Sequence, residues 1–165
     1  MMYRSILFDL DGTLTDPKEG ITKSVAYALS YFGIEADPDT LTDYIGPPLM
    51  WSFQKYHGLT EEEAHVALRK YRERFKVVGI FENSIFPGIP EMLERLRAQG
   101  AILGVASSQP ELFVNDILDH FDLLKYFDVV GGSLMDETRT KKEEVLEEAL
   151  SQLSALDQSN SQSRD

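Results

Sequence analysis

Residues 6–15 read I-L-F-D-L-D-G-T-L-T, and this stretch decides which fold the chain is expected to adopt. An apolar run at residues 6–8 leads directly into Asp9, and Asp11 follows two positions later. A buried strand therefore delivers two carboxylates to its C-terminal end, where open α/β sheets place their active sites. The Asp-Gly pair that comes next predicts a turn. The plainer interpretation is a strand that ends in an ordinary Asp-rich turn.

The spacing of these two carboxylates indicates a division of chemical roles. Two carboxylates so close repel each other as anions, so one of them is easily kept protonated. One member of the pair is then suited to act as a nucleophile or metal ligand, and the other as a general acid. The residues alone leave open which carboxylate takes which role.

The composition limits the class of protein. At 165 residues the chain is predicted to form one domain with room for a small insertion, and 42% hydrophobic residues are enough for a core. A net charge of -12 argues against nonspecific binding to nucleic acid or to an anionic membrane. The lack of cysteine excludes disulfides and zinc–thiolate sites. With no signal-peptide stretch and no long apolar run, we expect a cytoplasmic protein.

Helix and strand patterns divide the chain into parts. Between Asp16 and Phe86 apolar residues recur at helical spacing, and no convincing strand pattern appears. Beyond Phe86, helices alternate with strands predicted at 102–106 and 126–130. Such alternation predicts a parallel sheet with right-handed crossovers. We therefore predict an α/β fold, a Rossmann-like parallel sheet with an all-helical insertion after the first strand.

The same patterns give domain boundaries. The α/β core is predicted to comprise residues 1–15 and 87–150, and the helical insertion residues 16–86. A last helix, predicted at 142–153, would turn four apolar residues inward, namely Val145, Leu146, Ala149 and Leu150. From Ser151 onward Ser and Gln dominate, so residues 151–165 are predicted to be a disordered polar tail.

The stretch F-D-L-D-G-T-L-T resembles the first motif of the haloacid dehalogenase-like phosphohydrolases, closest to their phosphoglycolate phosphatase and 5'-nucleotidase-like branch. The resemblance implies that Asp9 attacks phosphorus to form an aspartyl-phosphate. Asp11 would protonate the leaving oxygen and then activate water. Gly12 and Thr13 would contact the phosphate, and Mg²⁺ would bind the Asp9 carboxylate and the Asp11 carbonyl. The helical insertion would be a cap that closes over the site.

A second motif is expected at the end of the strand at 102–106. A hydroxyl and backbone amides at a strand end can bind a phosphate oxygen, although a serine pair before proline is also a plain loop start. The resemblance implies this phosphate-binding role for Ser107, with Ser108 beside it. Gln109 stands where the family often has lysine, which predicts a weaker contact to phosphate or substrate.

A third motif is expected at the start of the last helix. In the family a lysine there pairs with the phosphate and with the nucleophile, and it neutralises charge on the phosphoryl group. The spacing favours Lys142, and Lys141 is the adjacent alternative. Glu137 stands where the family often has glycine, so the preceding turn is predicted to be strained.

A fourth family motif is not found. It consists of a further strand and an acidic loop that supplies more Mg²⁺ ligands, and nothing after Leu150 matches it. The C-terminal strands of the core are therefore expected to be missing. The strand that carries Asp9 is then expected to be an edge strand, and Mg²⁺ is expected to bind only weakly.

Two features of the insertion are given no catalytic role. Gly46-Pro47-Pro48 resembles the substrate-facing loop of the cap, or is a plain turn between helices. Trp51 and the tyrosines of the insertion are interpreted as packing residues rather than as a platform for stacking bases.

The resemblance, supported by these patterns, implies a Mg²⁺-dependent phosphomonoester hydrolase. Its substrate would be a small phosphorylated metabolite, with phosphoglycolate and a nucleoside 5'-monophosphate as the leading choices, and neither nucleic acid nor a membrane would be a partner. Two alternatives remain open: a catalytically deficient truncated fragment of such an enzyme, and a phosphotransferase or mutase that uses the same first motif.

Overall fold

A computed structural model of the chain describes residues 4–163. The chain separates into two compact units. One unit holds the residues up to Thr15 together with those from Ile85 onward, and the other is Asp16–Ser84. These boundaries lie close to those predicted between the α/β core and the helical insertion.

The strands of the described residues are β1 (Ser5–Phe8), β2 (Thr15–Asp16), β3 (Ser84–Ile85), β4 (Ile102–Pro110) and β5 (Val129–Ser133). The three longer strands form a parallel sheet in the order β1-β4-β5. Within the described part of the chain β1 pairs with β4 alone, so it lies at an edge, as predicted. The sequence predicted no strand between Asp16 and Phe86. This prediction is wrong at both ends of the insertion, where the two short strands β2 and β3 pair with each other. Strands of two residues are too short to produce an alternating pattern.

The helices are α1 (Lys18–Ser30), α2 (Leu49–His57), α3 (Glu61–Phe75), α4 (Ile89–Ala98), α5 (Glu111–His120) and α6 (Lys142–Gln162). Short 3₁₀ helices are found at Pro38–Thr40, Thr42–Tyr44, Gly79–Phe81 and Leu124–Tyr126. Helices α4, α5 and α6 alternate with the strands of the parallel sheet, which confirms the α/β fold class. Among the described residues, none of the helices combines the length and apolarity needed to cross a bilayer.

The position of β5 differs from the prediction at 126–130. The strand begins at Val129 and continues through two glycines. Helix α6 packs against the strand at Gly131, where a Cβ would lie in van der Waals contact with the Ala149 side chain, at 3.4 Å. Just before the strand, the Asp128 amide donates to the Leu103 carbonyl at 2.7 Å, and the Asp128 carboxylate, instead of a main-chain carbonyl, accepts from the Leu103 amide at 3.0 Å. The apolar pattern therefore predicted the strand too early.

Helix α6 packs one narrow stripe onto the sheet. Val145, Ala149 and Leu153 are buried in a cluster that includes residues of β4 and β5. Gly104 of β4 lies beneath Leu153, whose methyl groups are 3.4 Å from the position a Cβ would take there. The prediction that Leu150 points inward is wrong, because Leu150 is 52% exposed. It follows Ala149 by one residue, so it lies about 100° further around the helix.

The disordered tail predicted from Ser151 is wrong for the described residues 151–163, because α6 continues to Gln162. Leu153 stands four residues after Ala149 and extends the buried stripe into the polar segment. One more apolar contact thus anchors a sequence whose composition alone favours disorder. The last two residues of the predicted tail, 164 and 165, lie outside the described residues.

A substitution in α6 tests this correction. We expect Leu153→Ala to lower the free energy of unfolding by about 2–4 kcal/mol, since it removes a buried leucine. Leu150→Ala, the same change at an exposed position three residues earlier, should cost less than about 1 kcal/mol. Urea unfolding of both variants provides the measurement. Equal and small losses would mean that α6 does not persist beyond Ser151.

Candidate active site

The turn after β1 holds the two aspartates. The carbonyl oxygen of Leu10 accepts hydrogen bonds from the amides of Thr13 at 3.2 Å and Leu14 at 2.9 Å. The Gly12 amide donates to the Thr15 carbonyl at 2.8 Å, and Gly12 has φ +77, a conformation that favours glycine. Leu10 and Leu14 are fully buried. The turn is therefore anchored from below while its polar residues remain accessible.

These bonds bear on the phosphate contacts predicted for Gly12 and Thr13. Both residues are exposed beside the aspartates, but both amides already donate within the turn. A phosphate bound through these amides would compete with the bonds of the turn. The role of the two residues stays a prediction.

Asp9 and the start of α6 meet at the C-terminal end of the sheet. The Lys142 ammonium donates to Asp9 Oδ1 at 2.7 Å and to the Ala106 carbonyl at 2.9 Å. The Leu10 amide donates to the same Asp9 oxygen at 2.9 Å. About half of the Asp9 side chain is exposed. The structure therefore brings together an accessible carboxylate and a lysine that is fixed by two acceptors, whereas Lys141 is exposed.

Asp11 faces the end of β4. The Gln109 side-chain amide donates to both carboxylate oxygens of Asp11, each at 2.8 Å. Burial raises the pKa of Asp11 to about 6, and the nearby Asp9 charge adds to this, while the bonds from Gln109 and the charge of Lys142 lower it. The sequence predicts a protonatable carboxylate from repulsion between the aspartates. The structure identifies burial as the larger cause.

The last residues of β4 are built around Ser107. Regular pairing of β4 with β5 ends at Ala106, although the strand itself extends to Pro110. Ser107 is buried, and its hydroxyl accepts a hydrogen bond from the Gln109 amide at 3.1 Å. Ser108 is half-buried beside it. The structure thus places Ser107 next to Gln109, the residue that contacts Asp11, and the Ser107 hydroxyl holds the main chain of Gln109 in place.

The sequence did not predict the contacts that Gln109 and Arg139 make in the site. Gln109 was expected only to weaken a contact, but it binds Asp11. Arg139 donates to the Gly132 carbonyl at 3.1 Å and to the Glu111 carboxylate at 3.1 Å. It therefore joins the end of β5 to the start of α5. The contact of Gln109 could have been suspected because Gln109 is a polar residue two positions after Ser107. The sequence contains no comparable indication for Arg139.

The turn before α6 is strained, as predicted. Glu137 has φ +68 and Arg139 has φ +50, which are left-handed conformations that cost non-glycine residues free energy. The ion pair of Arg139 with Glu111 offsets part of this cost. Such a turn fixes the point at which α6 begins and thereby the position of Lys142.

The donor set fits Mg²⁺ only in part. The Asp9 carboxylate and the Asp11 main-chain carbonyl are hard oxygen ligands of the kind that Mg²⁺ prefers. Across residues 4–163, however, we find no group of three or more His, Cys, Asp or Glu side chains arranged to hold a metal ion. The residues therefore fit a Mg²⁺ ion that takes its remaining ligands from water, and the weak binding expected from the sequence stays a prediction.

The raised pKa of Asp11 predicts a pH dependence of stability. Its pKa of about 6 exceeds the 3.8 of an unperturbed aspartate, so between these values the native state binds more protons than the unfolded state. Stability should therefore fall as pH rises through this window and level off above it. The loss is expected to be about 2 kcal/mol, allowing for the partial exposure of Asp11.

The Asp11→Asn variant isolates this contribution. We expect the stability of the variant relative to the wild type to increase between pH 4 and pH 7, as measured by urea unfolding with EDTA present. The change of this difference with pH, rather than its size at one pH, is the result to examine. A difference that is constant with pH would show that Asp11 titrates normally.

Comparison with known proteins extends over nearly the whole chain. A family model described as haloacid dehalogenase-like hydrolase matches residues 6–161. A Pseudomonas aeruginosa protein named 5'-nucleotidase is 49% identical over 151 residues, which are 91% of this chain and 68% of that protein. A Mycobacterium tuberculosis protein named tyrosine-protein kinase PtkA is 39% identical over 92% of this chain and 52% of its own length. A phosphoglycolate phosphatase from Aquifex aeolicus is 34% identical over 87% of this chain and 67% of its own length.

A solved structure gives the same assignment. The crystal structure of a predicted phosphatase from Clostridium acetobutylicum superimposes with a TM-score of 0.90 at 46% sequence identity. The match covers 93% of this chain and 72% of that one. The chain therefore spans about two thirds of the length of several relatives and about half of the mycobacterial one. Together with the family match, these similarities show that the chain belongs to the haloacid dehalogenase-like hydrolase family, among relatives named 5'-nucleotidase and phosphoglycolate phosphatase.

Proposed function

We propose that the chain hydrolyses a small phosphomonoester through an aspartyl-phosphate on Asp9. The observation that carries this proposal is the 2.7 Å ion pair between Lys142 and an exposed Asp9, beside a carboxyl whose pKa is about 6. An accessible carboxylate can act as a nucleophile, and a pKa near the working pH suits a general acid and base. Both groups belong to one compact unit.

The proposed reaction has two steps. In the first, an Asp9 oxygen forms a bond to phosphorus as the ester P–O bond breaks, and protonated Asp11 gives its proton to the departing oxygen. In the second, Asp11 takes a proton from water, which attacks phosphorus, so that inorganic phosphate leaves and Asp9 is regenerated. Lys142 stabilises the charge on the phosphoryl oxygens in both steps.

The side chains around Asp11 suit both of its tasks. Burial favours the neutral acid needed in the first step, and the two bonds from Gln109 favour the carboxylate needed in the second. Ser107 holds Gln109 in place through its hydroxyl and is the proposed additional contact to phosphate. In the proposed site Mg²⁺ would be held by the Asp9 carboxylate and the Asp11 carbonyl, and it would neutralise phosphate charge.

The substrate class is proposed from the relatives. Proteins named 5'-nucleotidase and phosphoglycolate phosphatase are 49% and 34% identical to this chain, so a nucleoside 5'-monophosphate and phosphoglycolate are the leading choices. The two differ chemically, because the nucleotide carries an aromatic base, whereas phosphoglycolate carries only one carboxylate besides its phosphate.

The decisive experiment is to follow hydrolysis of p-nitrophenyl phosphate with and without Mg²⁺ and to search for phosphate on Asp9. We expect turnover that saturates only at high Mg²⁺ concentration, and a phosphorylated Asp9 peptide after rapid acid quenching. The tight, micromolar Mg²⁺ dependence of a complete ligand set would contradict the proposed metal site. Turnover without phosphate on Asp9 would contradict the covalent mechanism.

A phosphotransferase is the second candidate, favoured by the 39% identity to a protein named tyrosine-protein kinase. The first step would be the same, and the phosphoryl group would pass to a second substrate instead of water. Offering alcohol or tyrosine acceptors to the phosphoenzyme distinguishes the two. Release of inorganic phosphate at an unchanged rate supports the hydrolase. The third alternative, a deficient fragment, predicts neither phosphoenzyme nor turnover.

A further inference from the structure

Two exposed aromatic residues stand together on α2 in the unit Asp16–Ser84. Trp51 is 49% exposed and Tyr56 is 40% exposed. Their ring centroids are 5.7 Å apart in an edge-to-face arrangement. Trp51 is the only tryptophan of the chain. The interpretation of Trp51 as a packing residue therefore accounts for only part of its surface.

The pair is held in place from beneath. The Tyr56 ring lies 5.5 Å from the ring of Tyr44, which is buried and packs edge-to-face on Phe53. The Tyr44 hydroxyl and His57 Nδ1 are 2.6 Å apart. Burial lowers the pKa of His57, so the neutral imidazole can accept this hydrogen bond. A fixed aromatic pair loses little conformational freedom when a ligand covers it.

Other exposed tyrosines of this unit already have polar partners. The Lys70 ammonium lies 4.8 Å from the centre of the Tyr31 ring, and the Tyr27 hydroxyl donates to Glu73 at 3.3 Å. For Trp51 the structure shows no hydrogen bond from Nε1 to any residue within 4–163. Trp51 thus offers both a half-exposed flat ring and an indole N–H that can donate to a ligand.

The helix start beside Trp51 adds a preference for charge. Helix α2 follows Gly46-Pro47-Pro48, and its N-cap, Pro48, has no side-chain group that could accept from the first amides. Those amides carry a positive partial charge, and Trp51 lies in the same first turn. An aromatic ring with electronegative acceptor atoms therefore matches this surface better than a purely hydrocarbon ring.

We propose that Trp51 and Tyr56 form a stacking surface for the base of a nucleoside 5'-monophosphate. A base has a flat π face for the exposed rings and ring nitrogen or oxygen acceptors for the indole N–H. Glycolate has neither, so of the two leading ligands only the nucleotide can stack on this surface. The inference rests on the proposed hydrolysis for its choice of a phosphorylated ligand, and the surface itself lies wholly within one unit.

Because Trp51 is the single tryptophan, its fluorescence reports contact with a base directly. We would titrate the Asp9→Asn variant with adenosine 5'-monophosphate in the presence of Mg²⁺, correcting for absorption with free N-acetyltryptophanamide. We expect saturable quenching by the nucleotide and none by ribose 5-phosphate. Equal effects of the two ligands, or no saturable quenching by the nucleotide, would overturn the proposal.

Substitutions then test whether the ring itself supplies affinity. By calorimetry, Trp51→Ala should bind adenosine 5'-monophosphate about tenfold more weakly, equivalent to about 1.4 kcal/mol. Trp51→Phe keeps a ring but loses the N–H, so its affinity should be intermediate. Tyr31→Ala, at an exposed ring elsewhere in the unit, is the matched control and should bind like the wild type. Equal weakening by Trp51→Ala and Tyr31→Ala would contradict the proposal.

The two proposals fail in different ways. If p-nitrophenyl phosphate is hydrolysed but nucleotides do not quench Trp51, the stacking surface is wrong and the hydrolase stands. If nucleotides quench Trp51 but no phosphoester is hydrolysed, the hydrolase is wrong and the stacking surface stands as a nucleotide-binding site.

Discussion

Replacing Asp9 by asparagine is expected to lower the rate of phosphomonoester hydrolysis by at least about 10³-fold. The carboxamide keeps the size of the side chain and an oxygen that can accept the bonds from Lys142 and Leu10. It lacks the negative charge and nucleophilicity needed to attack phosphorus. The measurement is kcat/KM on p-nitrophenyl phosphate, together with the mass of the acid-quenched enzyme.

A matched substitution separates loss of the nucleophile from general damage. Asp16→Asn makes the same chemical change at an exposed residue whose Oδ1 only accepts from the Lys18 amide, which asparagine can also satisfy. We expect Asp16→Asn to retain wild-type turnover within about twofold. If Asp9→Asn kept substantial activity or still carried phosphate, the attacking group would be another residue, and the aspartyl-phosphate mechanism would be excluded.

The part of the fold that the sequence predicted is the part in which local pattern and tertiary packing agree. The run of apolar residues before Asp9 predicted a strand, which β1 confirms with half-buried rather than buried residues, and the alternation beyond Phe86 leads to the parallel sheet. The polar segment after Ser151 shows the limit. Its composition favours disorder, but one leucine, Leu153, is buried in the cluster formed with residues of β4 and β5 and extends the helix. The composition of a segment does not show whether a single residue in it is buried, so it could not predict this contact.

The candidate site shows the same limit at the level of side chains. The position of Lys142 at a helix start followed from spacing, and the structure places its ammonium on Asp9. The contact of Gln109 with Asp11 joins residues 98 positions apart, so no local pattern contains it. The environment of Asp11 depends on burial, which also comes only from the packed structure.

Replacing Lys142 by methionine is expected to lower kcat by about 10²–10³-fold, the loss typical when one group that stabilises developing charge is removed. Methionine keeps much of the length of the side chain but removes the ammonium that binds Asp9 and the Ala106 carbonyl. The same change removes a positive charge that lowers the pKa of Asp11, so that pKa should rise above about 6. Hydrolysis of p-nitrophenyl phosphate across the pH range measures both effects.

Lys141→Met provides the control that the chain itself offers. It makes the same substitution one residue earlier, at an exposed lysine that only precedes the first turn of α6. Because both variants lose one positive charge near the same helix start, a general electrostatic effect would weaken them equally. We expect Lys141→Met to stay within about threefold of the wild type. If instead Lys141→Met were the more damaged variant, the turn before α6 would have to rearrange when phosphate binds, and Lys141 would be the lysine that contacts it.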